Sequence, residues 1–383
     1  MKKTLALILA GLLTLCAASC ANKNEEEQNQ ESIAVEQNYI EEASKKGRFE
    51  YDRNEEGDYE IIGYESYSID ASDITLPSKI DEFDIVGIAK DAFKAENSIK
   101  SVTIPATYEY IGEFAFYDCD SLTTVKIPTS MSKIGKHAFD NCDSLSNINV
   151  PNTVKEIAEF TFKDCKVLKT LDLPGVTSIK TGAFFNCVAL ENITVSDKLN
   201  YATRDAFQNC VALVYTNSEG LLYLGNDTNA NVLLVKPEDL NVIECTVAKN
   251  TKVIADAAFS DCDSLTSIIL SDSVKVINGS AFAGCTELTY NRDENDKNGL
   301  YLGTEDNPYM VLIELEISTV EVFKLNKDTK IIADTAFAKC TNLKDIGFDG
   351  TEAEWGKITK SETWNGDLTL NIACSDKTVT VLG

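Results

Sequence analysis

The chain has 383 residues and a formal charge of −26, from 35 basic against 61 acidic side chains. An acidic surface of this kind repels nucleic acid and anionic lipid, which sets aside functions that track a phosphate backbone. With 44 % hydrophobic residues the chain is also too apolar to be disordered, so its length must form a large core or an extended repeat array.

Residues 1–19 read as a signal peptide. Lys2 and Lys3 supply a positive start, and the apolar run from Leu5 to Leu15 is too short for a stable membrane span. Ala17, Ala18 and Ser19 then lead to Cys20, an order that resembles a bacterial lipoprotein signal, with Cys20 as the acylated first residue of the mature chain. Cys16 is the rival, but bulky Leu15 precedes it. Ordinary secretion with cleavage after Ser19 is the alternative. Residues 20–46 carry that cysteine and a Glu-, Gln- and Asn-rich stretch with too few apolar groups to offset its ordering entropy, which makes it a flexible tether. The expected location is outside the cell, lipid-anchored at a bacterial surface.

Residues 47–87 are assigned to an N-terminal cap with degenerate repeats. Tyr51, Tyr59, Ile61 and Ile62 fit a hairpin that closes an open core, and Ile74, Leu76 and Pro77 match the end of a repeat. From 88 to 347 a unit recurs. One copy is Ile111, Ala115, Phe116, Cys119, Leu122, Val125, Ile127 and Pro128; the next is Ile134, Ala138, Phe139, Cys142, Leu145, Ile148, Val150 and Pro151. The phenylalanines at 93, 116, 139, 162, 184 and 207 are separated by 23, 23, 23, 22 and 23 residues, and the register returns at Phe259, Phe282 and Phe337. The end of each unit alternates apolar and polar residues, the period of a half-buried strand, and proline stops it. The Ala-Phe segment reads as a short returning side, helical or irregular. A single coil cannot bury its own apolar face, whereas a stack buries a continuous core.

Two insertions interrupt the array, near 215–250 and 290–328. Tyr223 to Lys236 aligns with Tyr301 to Glu314, and each tyrosine lies 36 residues before a register phenylalanine, Phe259 or Phe337. Both segments read as β-hairpins around a Gly/Asn/Asp-rich turn. They either widen a coil and pack on the solenoid or protrude as binding elements. Residues 348–383 lack the repeat, and Trp355, Ile358 and Trp364 are placed over the last coil as a C-terminal cap. The fold expected is an α/β repeat solenoid: a leucine-rich-repeat-like array with a parallel sheet of one short strand per coil, two hairpin insertions and terminal caps.

The unit Ala-Phe-x-x-Cys-x-x-Leu-x-x-Ile-x-Ile-Pro closely resembles the BspA-type, or treponemal-type, bacterial leucine-rich repeat, over roughly residues 50 to 383. The resemblance implies a bacterial surface or secreted protein with a role in adhesion to host proteins or other cells.

Eight of the 12 cysteines share one repeat position: Cys119, Cys142, Cys165, Cys187, Cys210, Cys262, Cys285 and Cys340. Equivalent side chains in stacked coils point the same way, which disfavours disulfide geometry and favours a column of buried free thiols. Cys245 and Cys374 break the pattern and are left unassigned. No Cys-x-x-Cys pair exists and His137 is the only histidine, so neither a zinc site nor a metal cofactor is expected. His137 sits at a variable repeat position and reads as exposed surface. No nucleophile motif, P-loop or dinucleotide fingerprint is present. The stretch Asp293 to Gly299 faintly resembles a calcium loop but lacks the closing glutamate, and reads as an acidic turn. No cofactor is expected, and the protein is read as a binder rather than an enzyme.

Outward strand residues alternate with the buried ones. They are Thr124 and Lys126, Asn147 and Asn149, Thr170 and Asp172, Asn192 and Thr194. This column is either a solubilising face or a ledge of hydrogen-bonding groups for partner binding. The partner would be a protein or glycan on a host or neighbouring cell, with the membrane engaged only through the N-terminal lipid and no nucleic acid involved. Adhesion is the first reading; glycan capture is the second, and a carboxylate-based enzyme the third.

Overall fold

A computed structural model describes residues 48–65, 72–360 and 364–382. Cys20 and the stretches read as a signal peptide and a tether lie outside the described residues.

Each regular coil uses its repeat in the same order. In the coil of Phe139, the strand Lys133–Ile134 is followed by the Ala-Phe turn, then by the strand Asn147–Ile148, and the chain turns at Pro151. The turn after the proline is closed by Val154 N–H, which donates to Pro151 O; Met131 does the same with Pro128 one coil earlier. Proline thus ends the strand and supplies the acceptor that redirects the chain.

There are therefore two parallel strands per coil, where the repeat pattern pointed to one. The first set includes Tyr110–Ile111 paired with Lys133–Ile134, and Glu156–Ile157 paired with Ser178–Ile179. The second includes Ser101–Thr103, Thr124–Lys126 and Asn147–Ile148 in one ladder, and Thr170–Leu173 with Asn192–Val195 in another. Both ladders are interrupted between the coils of Phe139 and Phe162. The Ala-Phe side bridges that seam, because Phe139 N–H donates to Thr161 O at 2.9 Å.

The α component of the expected fold is not found. Among the described residues the only helical segments are the single turn Glu352–Trp355 and the 3-10 turn Arg204–Phe207. The reason lies in the backbone on either side of each register phenylalanine. Two residues before it, Phe114, His137 and Phe160 have φ of 56°, 54° and 56°; two residues after it, Asp118, Asn141 and Asp164 have φ of 64°, 60° and 58°. A left-handed residue at each end of the Ala-Phe segment stops any right-handed helix after a single turn. At Gly182 (φ 61°) the same corner is glycine for a second reason: a Cβ there would lie 2.3 Å from the Phe160 ring.

All nine register phenylalanines are buried. From Phe93 to Phe207 their rings stack nearly parallel, with centroids 4.9 to 5.8 Å apart, and Phe259 and Phe282 stack at 5.4 Å. At the N-terminal end of the stack Phe49 and Tyr64 pack on Phe93 from the antiparallel strands Arg48–Arg53 and Tyr59–Glu65. At the other end Trp364 meets Phe337 edge-on at 5.5 Å.

The two interrupting segments have matching geometry. Leu221–Asn226 pairs antiparallel with Asn229–Pro237, and Gly299–Leu302 with Val311–Leu315. In each case the second strand then pairs in parallel with the first strand of the next coil, Leu233 with Val253 and Val311 with Ile331. Each also buries its tyrosine completely. The Tyr223 hydroxyl accepts from Ala248 N–H at 3.0 Å and that of Tyr301 from Asn326 N–H at 3.2 Å. A buried phenol with a backbone partner avoids the desolvation cost of a lone hydroxyl.

Candidate binding face

The eight face residues fall into two groups of four. Thr124 and Lys126 stand beside Asn147 and Asn149 on neighbouring coils, and Thr170 and Asp172 stand opposite Asn192 and Thr194 in register. The interrupted ladder runs between the groups. All eight are at least partly exposed. The face also extends the other way, to Ser101 and Thr103 and then Asp73 and Thr75. These four were missed although the alternation around Ile74 and Val102 carries the signal; only Asp73 and Thr75 lie in a degenerate unit.

The outward residues bond one another across the coils. Ser101 Oγ donates to Asp73 Oδ1 at 2.5 Å, and Thr194 Oγ1 donates to Asp172 Oδ1 at 2.7 Å. Asn149 differs from the rest. Its amide nitrogen donates to Ile127 O at 2.9 Å, and its amide oxygen accepts from Ile127 N–H at 3.0 Å. The side chain replaces the missing ladder bonds of a backbone strand, so Asn149 ties its coil to the preceding one and keeps only one donor and one acceptor position for a partner. Beside Asn192 and Thr194, the turn residues Asn226 and Asp227 close a notch of about 190 Å³. Asn226 Nδ2 donates to Val195 O at 2.9 Å and fixes the wall of this notch.

Charge is paired along the stack at the repeat interval. Lys90 with Glu113, Lys136 with Glu159, Lys166 with Asp143 and Lys344 with Glu321 are separated by 23 residues each and stand 2.5 to 3.1 Å apart. Such exposed pairs stabilise the fold little, but they commit the charges they join.

His137 is not simply exposed. Its ring lies between Phe114, at 4.5 Å, and Phe160, at 5.0 Å, both nearly parallel to it. Nδ1 stands 2.7 Å from Oδ2 of Asp140, which is only 2 % exposed and also meets Lys163 Nζ at 3.2 Å. These three left-handed residues thus form a second row of rings outside the core. The histidine is held by packing and by an acidic neighbour, and among the described residues no nucleophile is hydrogen-bonded to it.

The described cysteines are all free thiols. Cys119, Cys142, Cys165, Cys187 and Cys210 each donate their S–H to the carbonyl of the register phenylalanine in the preceding coil, at 3.0 to 3.2 Å. Burial pushes the thiols of Cys119 and Cys210 up to about 12, and those of Cys142, Cys165 and Cys187 well above 9.0. Cys245 occupies the inward position of the strand Glu244–Thr246, equivalent to Val125, and Cys374 is half-buried. These are packing residues, poorly suited to attack a substrate.

Asp293 is satisfied by protein donors. Its oxygens accept from the Asn295 N–H at 2.8 Å and from Asn326 Nδ2 at 2.7 Å. Burial alone would raise this carboxyl, yet those donors hold it below its ordinary value. No cluster of metal-ligating side chains occurs among the described residues.

A family model described as the BspA type leucine-rich repeat region matches residues 86–214, 238–296 and 316–360, in six copies. No curated protein matches the chain. Among solved structures, a leucine-rich repeat protein of T. pallidum is 24 % identical, with 63 % of this chain and 88 % of that one covered and a TM-score of 0.38. A leucine-rich cell surface protein of Faecalibacterium prausnitzii is 21 % identical over 82 % of this chain and 96 % of that one, with a TM-score of 0.39. The pneumococcal vaccine antigen PcpA is 16 % identical over 86 % and 83 %, with a TM-score of 0.33.

Proposed function

From the premise that this chain belongs to the BspA-type leucine-rich repeat family, we propose that it is an exported surface protein that binds a partner through its second-strand face. One observation supports this reading above the others. Exposed Thr, Asn, Asp and Lys side chains repeat at coil spacing and run into a notch walled by Asn226 and Asp227. A surface of hydrogen-bonding groups at fixed intervals suits an extended protein segment, with many modest contacts summed along the stack. Adhesion to a host matrix protein or a neighbouring cell is the role that follows. The acidic surface favours a basic or neutral partner.

The test uses Lys126→Glu, Thr170→Arg and Asn192→Arg, which alter exposed groups and leave the core intact. Each is expected to weaken binding to immobilised matrix proteins by about tenfold or more, equivalent to about 1.4 kcal/mol, with an unchanged melting temperature. Parent-like binding by all three would assign binding to another surface. Asn149 is unsuitable for this test because its amide supports the backbone. Glycan capture is the second reading, and the few exposed aromatics on the face count against it. A glycan array probed with the same variants separates the two.

The chain is held at the membrane through acylated Cys20, with more than one acyl chain making attachment stable. Cys20→Ser is expected to move the protein from the membrane fraction to the soluble fraction. Persistence of the variant in membranes would rule out this anchor.

A further inference from the structure

The phenylalanine stack is broken twice, after Phe207 and after Phe282, and a cleft opens at each break. The clefts are related by the repeat. Phe207, Cys210, Tyr215 and Lys236 line the first, of about 470 Å³; Phe282, Cys285, Tyr290 and Glu314 line the second, of about 530 Å³. Both volumes fall in the range of small-molecule sites. The equivalent position is thus lysine in one cleft and glutamate in the other.

The two charges are used differently. Glu314 accepts from Lys339 Nζ at 2.8 Å and is neutralised within its own wall. Lys236 is half-buried with its ammonium 5.8 Å from the Tyr215 ring centroid, and among the described residues it has no carboxylate partner. The other charged groups of the first cleft include two that are engaged: Arg204 donates to Ser260 O at 2.9 Å, and Glu238 accepts from Asn217 at 2.8 Å. Asp205 adds a further carboxylate to the wall. The rim is apolar and open, with Val211 82 % and Leu240 46 % exposed. The second cleft has no exposed large apolar side chain in its lining.

We propose that the first cleft binds a small organic monocarboxylate with an aromatic or branched apolar body. The body covers Val211 and Leu240 and packs toward Phe207 and Tyr215, and the carboxylate pairs with Lys236. The Lys236 stem lies against the cleft wall with its ammonium beside the Tyr215 ring, which places the charge where a ligand carboxylate can meet it. Lys236 and Arg204 balance Asp205 and Glu238 in the lining, so a single carboxylate can pair with Lys236 while a dianion would meet uncompensated repulsion. This site lies on the Ala-Phe side of the coils and does not depend on the partner-binding face.

The test is a titration of the full chain with 4-phenylbutyrate and with its uncharged counterpart 4-phenylbutanol, followed by ligand-observed NMR. Saturable binding of the carboxylate is expected, with the alcohol weaker by about tenfold or more. Lys236→Met keeps the aliphatic stem over Tyr215 and removes only the charge, and Lys236→Glu makes the first cleft resemble the second; both are expected to lose the same factor. Glu314→Gln is expected to bind as the parent does. Absence of saturable binding, equal binding of acid and alcohol, or parent-like binding by folded Lys236→Met would each overturn the proposal.

Discussion

Phe139→Ala is expected to lower the unfolding free energy by roughly 3–5 kcal/mol, read from a urea melt of the folded chain. The ring is fully buried between Phe116, at 5.4 Å, and Phe162, at 5.6 Å. Removing it costs the transfer free energy of the side chain and leaves a space that the neighbours cannot close. The coils above and below are held apart by backbone bonds, such as Phe116 N–H to Ala138 O and Phe139 N–H to Thr161 O. The two flanking rings keep their separation and lose their contacts, which is the condition under which a cavity costs most. Stability in a stacked array is a sum of coil terms and interface terms, and this substitution weakens two interfaces at once. Phe207→Ala should cost less, because its ring has one stacked neighbour, Phe184 at 5.8 Å, and a cleft on the other side. A loss below about 1 kcal/mol at Phe139 would mean that the ring column does not carry the core.

The second large effect is alkaline unfolding. Burial raises the thiols of Cys119, Cys210, Cys245 and Cys285 to about 12, from an ordinary 9.0. A group whose value is raised by folding contributes stability fully below its unfolded value and loses it as pH climbs toward the folded one. The window is therefore pH 9 to 12. Within it each such thiol removes about 1.4 kcal/mol per pH unit, so these four together remove on the order of 5 kcal/mol per pH unit. That is comparable with the whole stability of an ordinary domain. Burial also raises Tyr223 to about 12, which adds to the loss above its ordinary 10.0. Thermal melts in reductant should show a melting temperature nearly constant from pH 7 to 8.5 and falling steeply above 9. A flat profile to pH 11 would show that the thiols ionise without unfolding the stack.

Much of the core was legible in the sequence because one residue type marked the period. The phenylalanines gave the stack, and the shared position of the cysteines gave the thiol column. The first strand of each coil was not legible, because a two-residue strand such as Lys133–Ile134 is too short to show alternation and contributes one apolar residue. The missing helix has a similar cause. Nothing in the side chains of Phe114, His137 or Phe160 announces a left-handed backbone, a conformation uncommon for bulky residues, so the segment read as compatible with a helix. On the candidate face, alternation located the exposed positions correctly but treated them as equal. It had no means of separating Asn149, bound to the Ile127 peptide, from Asn147, because both obey the same outward pattern. The first cleft was hidden for a different reason. It arises from where two distant stretches meet at the end of a ring stack, and Lys236 acquires meaning only beside Tyr215.

The thiol-to-carbonyl bonds have a direction. Each runs from a cysteine back to a phenylalanine 25 or 26 residues earlier, as from Cys142 to Phe116 and from Cys187 to Phe162. A regular coil therefore finds its acceptor in chain that has already been made. A polypeptide emerging N-terminus first can add one coil at a time to a finished template, with little waiting for distant partners. The order of synthesis and the order of assembly coincide, and at each step the newest edge is the only one left open.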